Sequence, residues 1–234
     1  MALILNIETA TQVCSVALSK DGHLLALREY SEKNAHAEVL TPLIQELISE
    51  AKVHLTDLDA IAVSEGPGSY TGLRIGVSTA KGLCYSLDKP LISIPTLSSM
   101  AQWAAQNLKS KLTKDSLLFP MIDARRMEVY TCQFDYQLKQ LNETAPLIFD
   151  EETFVEGYSG KELVLFGDGC QKSTVLFSER KNITIYPEIL CSAQGMLQLA
   201  EDKFKNSDFV DLAYFEPFYL KEFIAGIPKV KGLR

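Results

Sequence analysis

Histidine is scarce in this 234-residue sequence: His23, His36 and His54 are the only three, and no two stand four apart on a common helix face. A His-based zinc or iron centre therefore lacks its usual ligands. The five cysteines, Cys14, Cys84, Cys132, Cys170 and Cys191, are odd in number and form no Cys-x-x-Cys pair. They read as reduced core thiols of a cytosolic protein rather than a disulfide framework or a zinc ribbon. No apolar run approaches the roughly 20 residues of a spanning helix. The start, MALILNIETA, has no basic region before its apolar stretch and places Asn6 and Glu8 inside it, unlike a signal peptide or anchor. A soluble, cytoplasmic protein without membrane contact is expected. Basic surplus is also missing: 23 Lys+Arg face 30 Asp+Glu, for a net charge of −7 and a pI near 5.1. That balance argues against gripping nucleic acid alone, where clustered Lys and Arg neutralise phosphates, but leaves room for a role on RNA beside a basic partner. No Gly-x-Ser-x-Gly elbow, no 20- to 50-residue repeat and no low-complexity tract occurs.

What is present is an ordinary globular composition, 47% apolar and 23% charged, in a chain long enough for two small lobes or one larger domain. From Leu3 to Tyr30 the pattern predicts three strands, LILNI, VCSVALS and LLALREY, the last two joined by Lys20-Asp21-Gly22-His23. Asp-Gly between apolar runs signals a hairpin. Apolar residues at 39, 40, 43, 44, 47, 48 and 51 recur at helical spacing and predict a helix over 37–52, kinked at Pro42. Strand AIAV at 60–63, a glycine turn, a helix over 70–87, strand LISI at 91–94 and a helix over 95–109 follow. The order βββαβαβα is that of ribonuclease-H-like folds, and the lysine-rich stretch after Asn107 marks a boundary between lobes at 1–109 and 110–234. In the second lobe LLFPMID and MEVYTCQF read as paired strands, LVLF and ITIY as further strands, and Ser192 as the cap of a helix reaching Lys205.

Three places could carry chemistry. Glu8, Thr9 and Thr11, at the exit of the first strand, could hold a hydrated metal and a phosphate, or merely cap a turn. The block Glu65-Gly66-Pro67-Gly68-Ser69-Tyr70-Thr71-Gly72-Leu73-Arg74-Ile75-Gly76 opens a helix, a natural anion site, yet matches neither the phosphate-loop nor the dinucleotide pattern. Its small residues at 68, 72, 76 and 80 predict very close packing, against the protein's own sheet or against a partner chain. Asp123-Ala124-Arg125-Arg126-Met127-Glu128 places two arginines in a turn, which could meet phosphate or a carboxylate or be a solvated tip. His36 and Glu38 read as a cap of the first helix.

Several motifs together resemble the TsaB (YeaZ-type) family: ILNIETATQVCSVAL, NAHAEVLTPLI, AIAVSEGPGSYTGLRIGVSTAKGL, SIPTLSSMA, MIDARRMEVY, FGDG and FYLK at 218–221. The resemblance implies an α/β, two-lobed actin/Hsp70-like ATPase fold with a reduced second lobe, the last residues free to return to the first. It implies the dimerisation subunit of the tRNA threonylcarbamoyladenosine machinery, a non-catalytic scaffold that pairs with TsaD and on which the ATPase TsaE docks. TsaD holds a metal through His-x-x-x-His; here Thr96 and Met100 stand at those positions, so no metal site and no catalytic residue is expected. Glu8, Thr9, Thr11, Gly167, Asp168 and Gly169 are then a vestigial nucleotide site. No cofactor is tightly bound, and ATP and Mg belong to the complex through TsaE. Leu40, Leu43, Leu47, Leu73, Gly76, Val77 and Ala80 are the expected contacts with TsaD, or with a second copy when the chain is alone, and tRNA is met through the complex. Gly76→Leu should then abolish TsaD binding and leave the monomer folded. The competing readings are a small phosphotransferase or ATPase using Glu8, Thr9, Thr11 and the 167–169 turn, and a metallopeptidase.

Overall fold

The computed structural model describes residues 2–32 and 35–221. Asn34, part of one motif, and residues 222–234, among them the last residues expected to be free to return to the first lobe, lie outside the described residues. The first half opens with β1 (Leu3–Glu8), β2 (Cys14–Lys20) and β3 (His23–Tyr30). The hairpin turns on Asp21 and Gly22, both at positive φ (53° and 75°), as a two-residue primed turn requires. Helix α1 (His36–Ala51), β4 (Ala60–Gly66), α2 (Tyr70–Leu87), β5 (Leu91–Pro95) and α3 (Thr96–Asn107) follow. The five strands lie in the order β3-β2-β1-β4-β5. β1 pairs antiparallel with β2 and parallel with β4, so both crossovers carry a helix.

Alternation along β1 sorts the two faces of this sheet. Leu5 and Ile7 join Leu40, Leu43, Leu47, Val77 and Ala80 in one core, while Ile4 joins a separate one. α1 runs unbroken through Pro42, which is exposed on its outer side. It stops at Lys52, whose left-handed backbone (φ 55°) turns its N–H back onto the Ile48 and Ser49 carbonyls. Neither His36 nor Glu38 caps this helix: its N-cap, Ala35, offers no side-chain bond, and His36 is itself buried with Nε2 unpartnered.

The second half repeats the strand plan. β6 (Ser116–Asp123), β7 (Glu128–Thr131), β8 (Phe134–Asp135), β9 (Ala145–Ile148), β10 (Glu162–Phe166) and β11 (Ile183–Tyr186) form a sheet of order β11-β10-β6-β7-β9, with β8 also on β6. β6 pairs parallel with β10 and antiparallel with β7, as β1 does with β4 and β2. Neither β9 nor the single-turn α4 (Thr174–Phe177) is legible in the sequence. The covering helices are exchanged between the halves. Leu97, Met100, Ala101 and Ala104 of α3 pack on Leu118, Ile122, Val164 and Phe166 of the second sheet. α5 (Leu197–Lys205) turns back to the first sheet, where Leu197 and Ala200 join Ile4, Ala17, Ala62 and Ile94. Ser192 caps the 3-10 turn Ala193–Met196 that precedes α5, its Oγ accepting the Gln194 N–H at 3.2 Å.

Beyond α5 the chain becomes an extended strap across both halves. The Val210 N–H donates to the Leu91 carbonyl at 3.0 Å, Lys81 on α2 donates to the Ala213 and Phe215 carbonyls, each at 3.1 Å, and the Phe218 N–H donates to the Glu65 carbonyl at 2.6 Å. Tyr219 stacks on Tyr70 with ring centroids 4.9 Å apart, and Lys221 pairs with Glu128 of the second sheet.

Candidate functional site

The carboxyl ends of β1 and β4 in one half, and of β6 and β10 in the other, meet at the cleft where an open α/β sheet places its ligand. The residues expected to hold a phosphate there are sealed. Glu8 and Thr9 are completely buried and Thr11 nearly so. Glu8 Oε1 accepts the Ala10 N–H at 2.7 Å, and Oε2 has no partner. Burial pushes this carboxyl up to about 7, against the Ala10 N–H, the Ser64 hydroxyl and the Thr9 amide, which hold it down. The hydroxyls of Thr9 and Thr11 are also buried without partners.

Cys191 is buried just before the turn that leads into α5. Its thiol is fully buried and pushed far up, by burial first and then by the charges of Glu8 and Asp168. Its segment is fixed to the first sheet through Glu29, whose Oε1 accepts from Ser15 at 2.8 Å and from Ser192 at 2.7 Å. The Ala193 N–H donates to Ser15 Oγ at 2.9 Å. The sequence marks Cys191 only as another core thiol, and nothing in its neighbours sets it apart.

On the far side, Gly167 (φ 104°) is wedged between the Met121 carbonyl and Met100, and Gly169 abuts Ile122 and Val129. Asp168 is half-buried; burial raises its carboxyl, and its Oδ1 accepts the Asp123 N–H at 3.1 Å. Thr9 turns to α2, and the two glycines serve packing. Of the side chains expected to contact phosphate, Glu8, Thr9 and Thr11 are enclosed by protein, while Asp168 stays half-buried. A cavity of about 330 Å³ opens at the carboxyl end of β4, lined by Glu65, Gly66, Ser98, Glu143 and Phe218. At the positions matching the TsaD histidines, Thr96 Oγ1 accepts the Gly66 N–H at 3.1 Å and Met100 packs under Gly167.

The small-residue face of α2 is occupied by its own chain. A Cβ on Gly68, Gly72 or Gly76 would collide with Ala10, the Thr9 carbonyl and Thr9 Oγ1 respectively. These glycines let α2 seat the β1 exit loop against its backbone. The expected partner contacts are corrected accordingly: Leu40, Leu43, Leu47, Val77 and Ala80 form the core of the first half, Leu73 is wholly buried, and Gly76 faces inward. None of the seven presents a surface. The outward face of the same helices is different. Thr71, Arg74, Ser78 and Gly82 line it, with Tyr85 84% exposed, and a Cβ on Gly82 would meet nothing within 4 Å. Between Ala37 on α1 and Tyr70, Arg74, Ile75 and Ser78 on α2 lies a groove of about 500 Å³. Helical spacing identified the apolar stripe but not which side of α2 the fold leaves open.

The family described as TsaD, tRNA N6-adenosine threonylcarbamoyltransferase, matches residues 24–221. Over 228 residues the chain is 34% identical to the tRNA threonylcarbamoyladenosine biosynthesis protein TsaB of Escherichia coli K12, covering 95% of this chain and 96% of that one. YeaZ from Pseudomonas aeruginosa superposes with a TM-score of 0.79 at 29% identity, over 94% of this chain and 100% of that one. The activator of the 2-hydroxyisocaproyl-CoA dehydratase from Clostridium difficile, with bound ADPNP, has a TM-score of 0.50 at 10% identity, over 88% and 97% of the two chains, and shares the fold alone. The architecture is the actin/Hsp70-like ATPase fold, as the sequence motifs imply.

Proposed function

This chain belongs to the TsaB (YeaZ-type) branch of the TsaD family of tRNA threonylcarbamoyladenosine biosynthesis proteins, and from that premise we propose that it serves the modification as a non-catalytic subunit. It pairs with TsaD in the cytoplasm, helps to dock the ATPase TsaE, and meets tRNA within that complex. The observation that carries this reading is the closed exit of β1: Glu8 and Thr9 are wholly buried and Thr11 nearly so. An ATPase of this fold works by admitting nucleotide between its lobes, and here the Glu8 and Thr9 side chains at the exit of β1 are enclosed by protein. The six residues Glu8, Thr9, Thr11, Gly167, Asp168 and Gly169 are then the remnant of a nucleotide site. Nothing is bound tightly by this chain, and ATP with Mg acts through TsaE.

The outer face of α1 and α2 is the pairing surface in this reading. Small and hydroxyl residues at 71, 78 and 82 allow a partner helix to approach closely, with Tyr85 at the rim. The same face in a second copy supplies a homodimer when TsaD is absent. Reconstitution of the tRNA modification from purified components tests the proposal. Product should form with this chain, fail without it, and form undiminished with Glu8→Gln. Undiminished modification without the chain overturns the subunit role, and loss of activity in Glu8→Gln overturns the non-catalytic one.

A further inference from the structure

The turn between β6 and β7 is the motif that the subunit reading leaves unused. Arg125 and Arg126 are both exposed and both in the left-handed region, at φ 71° and 48°. Asparagine and glycine adopt that conformation with little strain, whereas arginine does not. Local preference is overridden here at two consecutive positions, a pattern typical of functional turns.

The turn is held firmly at its base. Asp123 Oδ1 accepts the Arg125 N–H at 2.6 Å and pairs with Lys172 at 2.7 Å. Lys172 also donates to the Glu128 carbonyl at 2.9 Å, and Lys221 from the strap pairs with the Glu128 carboxylate. Both acids at the base are thus already neutralised by lysines. The tip is not. Arg28 is spent on Glu46 and Glu50, Arg74 on the Tyr70 hydroxyl, and Arg180 on the Thr153 and Glu151 carbonyls. Among the described residues, the guanidinium groups of Arg125 and Arg126 have no hydrogen-bond or ion-pair partner. Two adjacent unpaired cations on a clamped turn stand out from a molecule of net charge −7.

We propose that the Arg125–Arg126 tip binds the phosphodiester backbone of RNA. This rests on the reading above, in which the chain serves a tRNA-modifying complex, and adds a direct contact to it. Paired planar forks suit phosphate oxygens, and a fixed turn holds them without the entropy lost by a free arm. The net charge of −7 on the whole chain explains why such a contact acts inside an assembly and not alone, since one pair of arginines does not offset it.

The test uses the complete reconstituted assembly and a fluorescein-labelled, unmodified tRNA transcript, with anisotropy titrations at several salt concentrations. Arg125→Asn with Arg126→Gly keeps the turn and removes both charges. The assembly carrying it should bind tRNA about tenfold or more weakly, with the salt slope reduced by about 1 to 2. Arg125→Lys with Arg126→Lys should keep the slope and lose only part of the affinity. Gel filtration without RNA should show the assembly intact in both. Unchanged affinity and slope in the Asn-Gly variant would overturn the proposal. So would loss of the assembly without RNA, which would assign the tip to a protein carboxylate. If modification proceeds without the chain, the subunit reading itself fails; if the chain is required while the Asn-Gly variant behaves as wild type, only the RNA contact fails.

Discussion

The two halves share one strand plan and clothe it differently. In the first, β3-β2-β1-β4-β5 is crossed by two full helices, α1 of 16 residues and α2 of 18. In the second, β9-β7-β6-β10-β11 has turns over 149–161 in place of one helix, and a 3-10 turn with the four-residue α4 in place of the other. Aromatic rings fill the space that helices would cover: Phe177 lies edge-on to Phe149 and Phe154, which in turn meets Phe119 and Tyr158. Strand order alone therefore does not tell what a half of this fold does. Long helices present an outer face, and the first half keeps them; the second retains a core and the arginine turn.

Substitutions that exploit this difference rank by how much backbone they displace. Gly76→Leu, which the apolar pattern alone expected to spare the monomer, should instead unfold it, because the new side chain has only Thr9 to enter. Loss of the cooperative thermal transition by circular dichroism checks this, and a folded variant would break the account of α2. Phe177→Ala, in the aromatic layer of the other half, should cost about 3–5 kcal/mol in denaturant unfolding; a cost under about 1 kcal/mol would mean that the rings do not replace the missing helices.

Glu8→Gln should act in the opposite direction. The carboxyl sits near 7 when folded against an ordinary 4.5, so between those values the folded protein holds a proton that the unfolded chain has released. Stability from this group is present below about 4.5 and is lost as pH rises through 7. Above 7 the wild type should carry a penalty of up to about 3 kcal/mol that the amide lacks. Urea melts at pH 8 and pH 5 should show the variant ahead at the higher pH and the gap closing at the lower. Smallest of all, removing the half-exposed Lys161–Asp115 pair (3.0 Å) by Lys161→Ala should change stability by less than about 1 kcal/mol.

The first half was largely legible in sequence because its elements are long and regular. Asp21-Gly22 located the hairpin, and apolar spacing located α1 and α2 to within a residue or so of their ends. Small residues at 68, 72, 76 and 80 signalled close approach, but periodicity is blind to what approaches. The neighbour of the three glycines is the Thr9–Ala10 segment of the same chain, 58 to 67 residues earlier in sequence. β9 and α4 escaped because four residues carry no usable period, and Pro146 lies inside β9. The sequence singles out Glu8, Thr9 and Thr11 as a group, yet their burial is decided only by the tertiary fold.

Co-elution of Ser78→Arg with purified TsaD in gel filtration tests the central claim most directly. Ser78 is exposed on the outer face of α2, four residues from Gly82. The variant should melt within about 1 °C of the wild type and fail to co-elute with TsaD, since a small-to-large change there blocks only an approaching partner. A stoichiometric complex formed as readily as with the wild type would contradict the placement of the pairing surface on the helices of the first half.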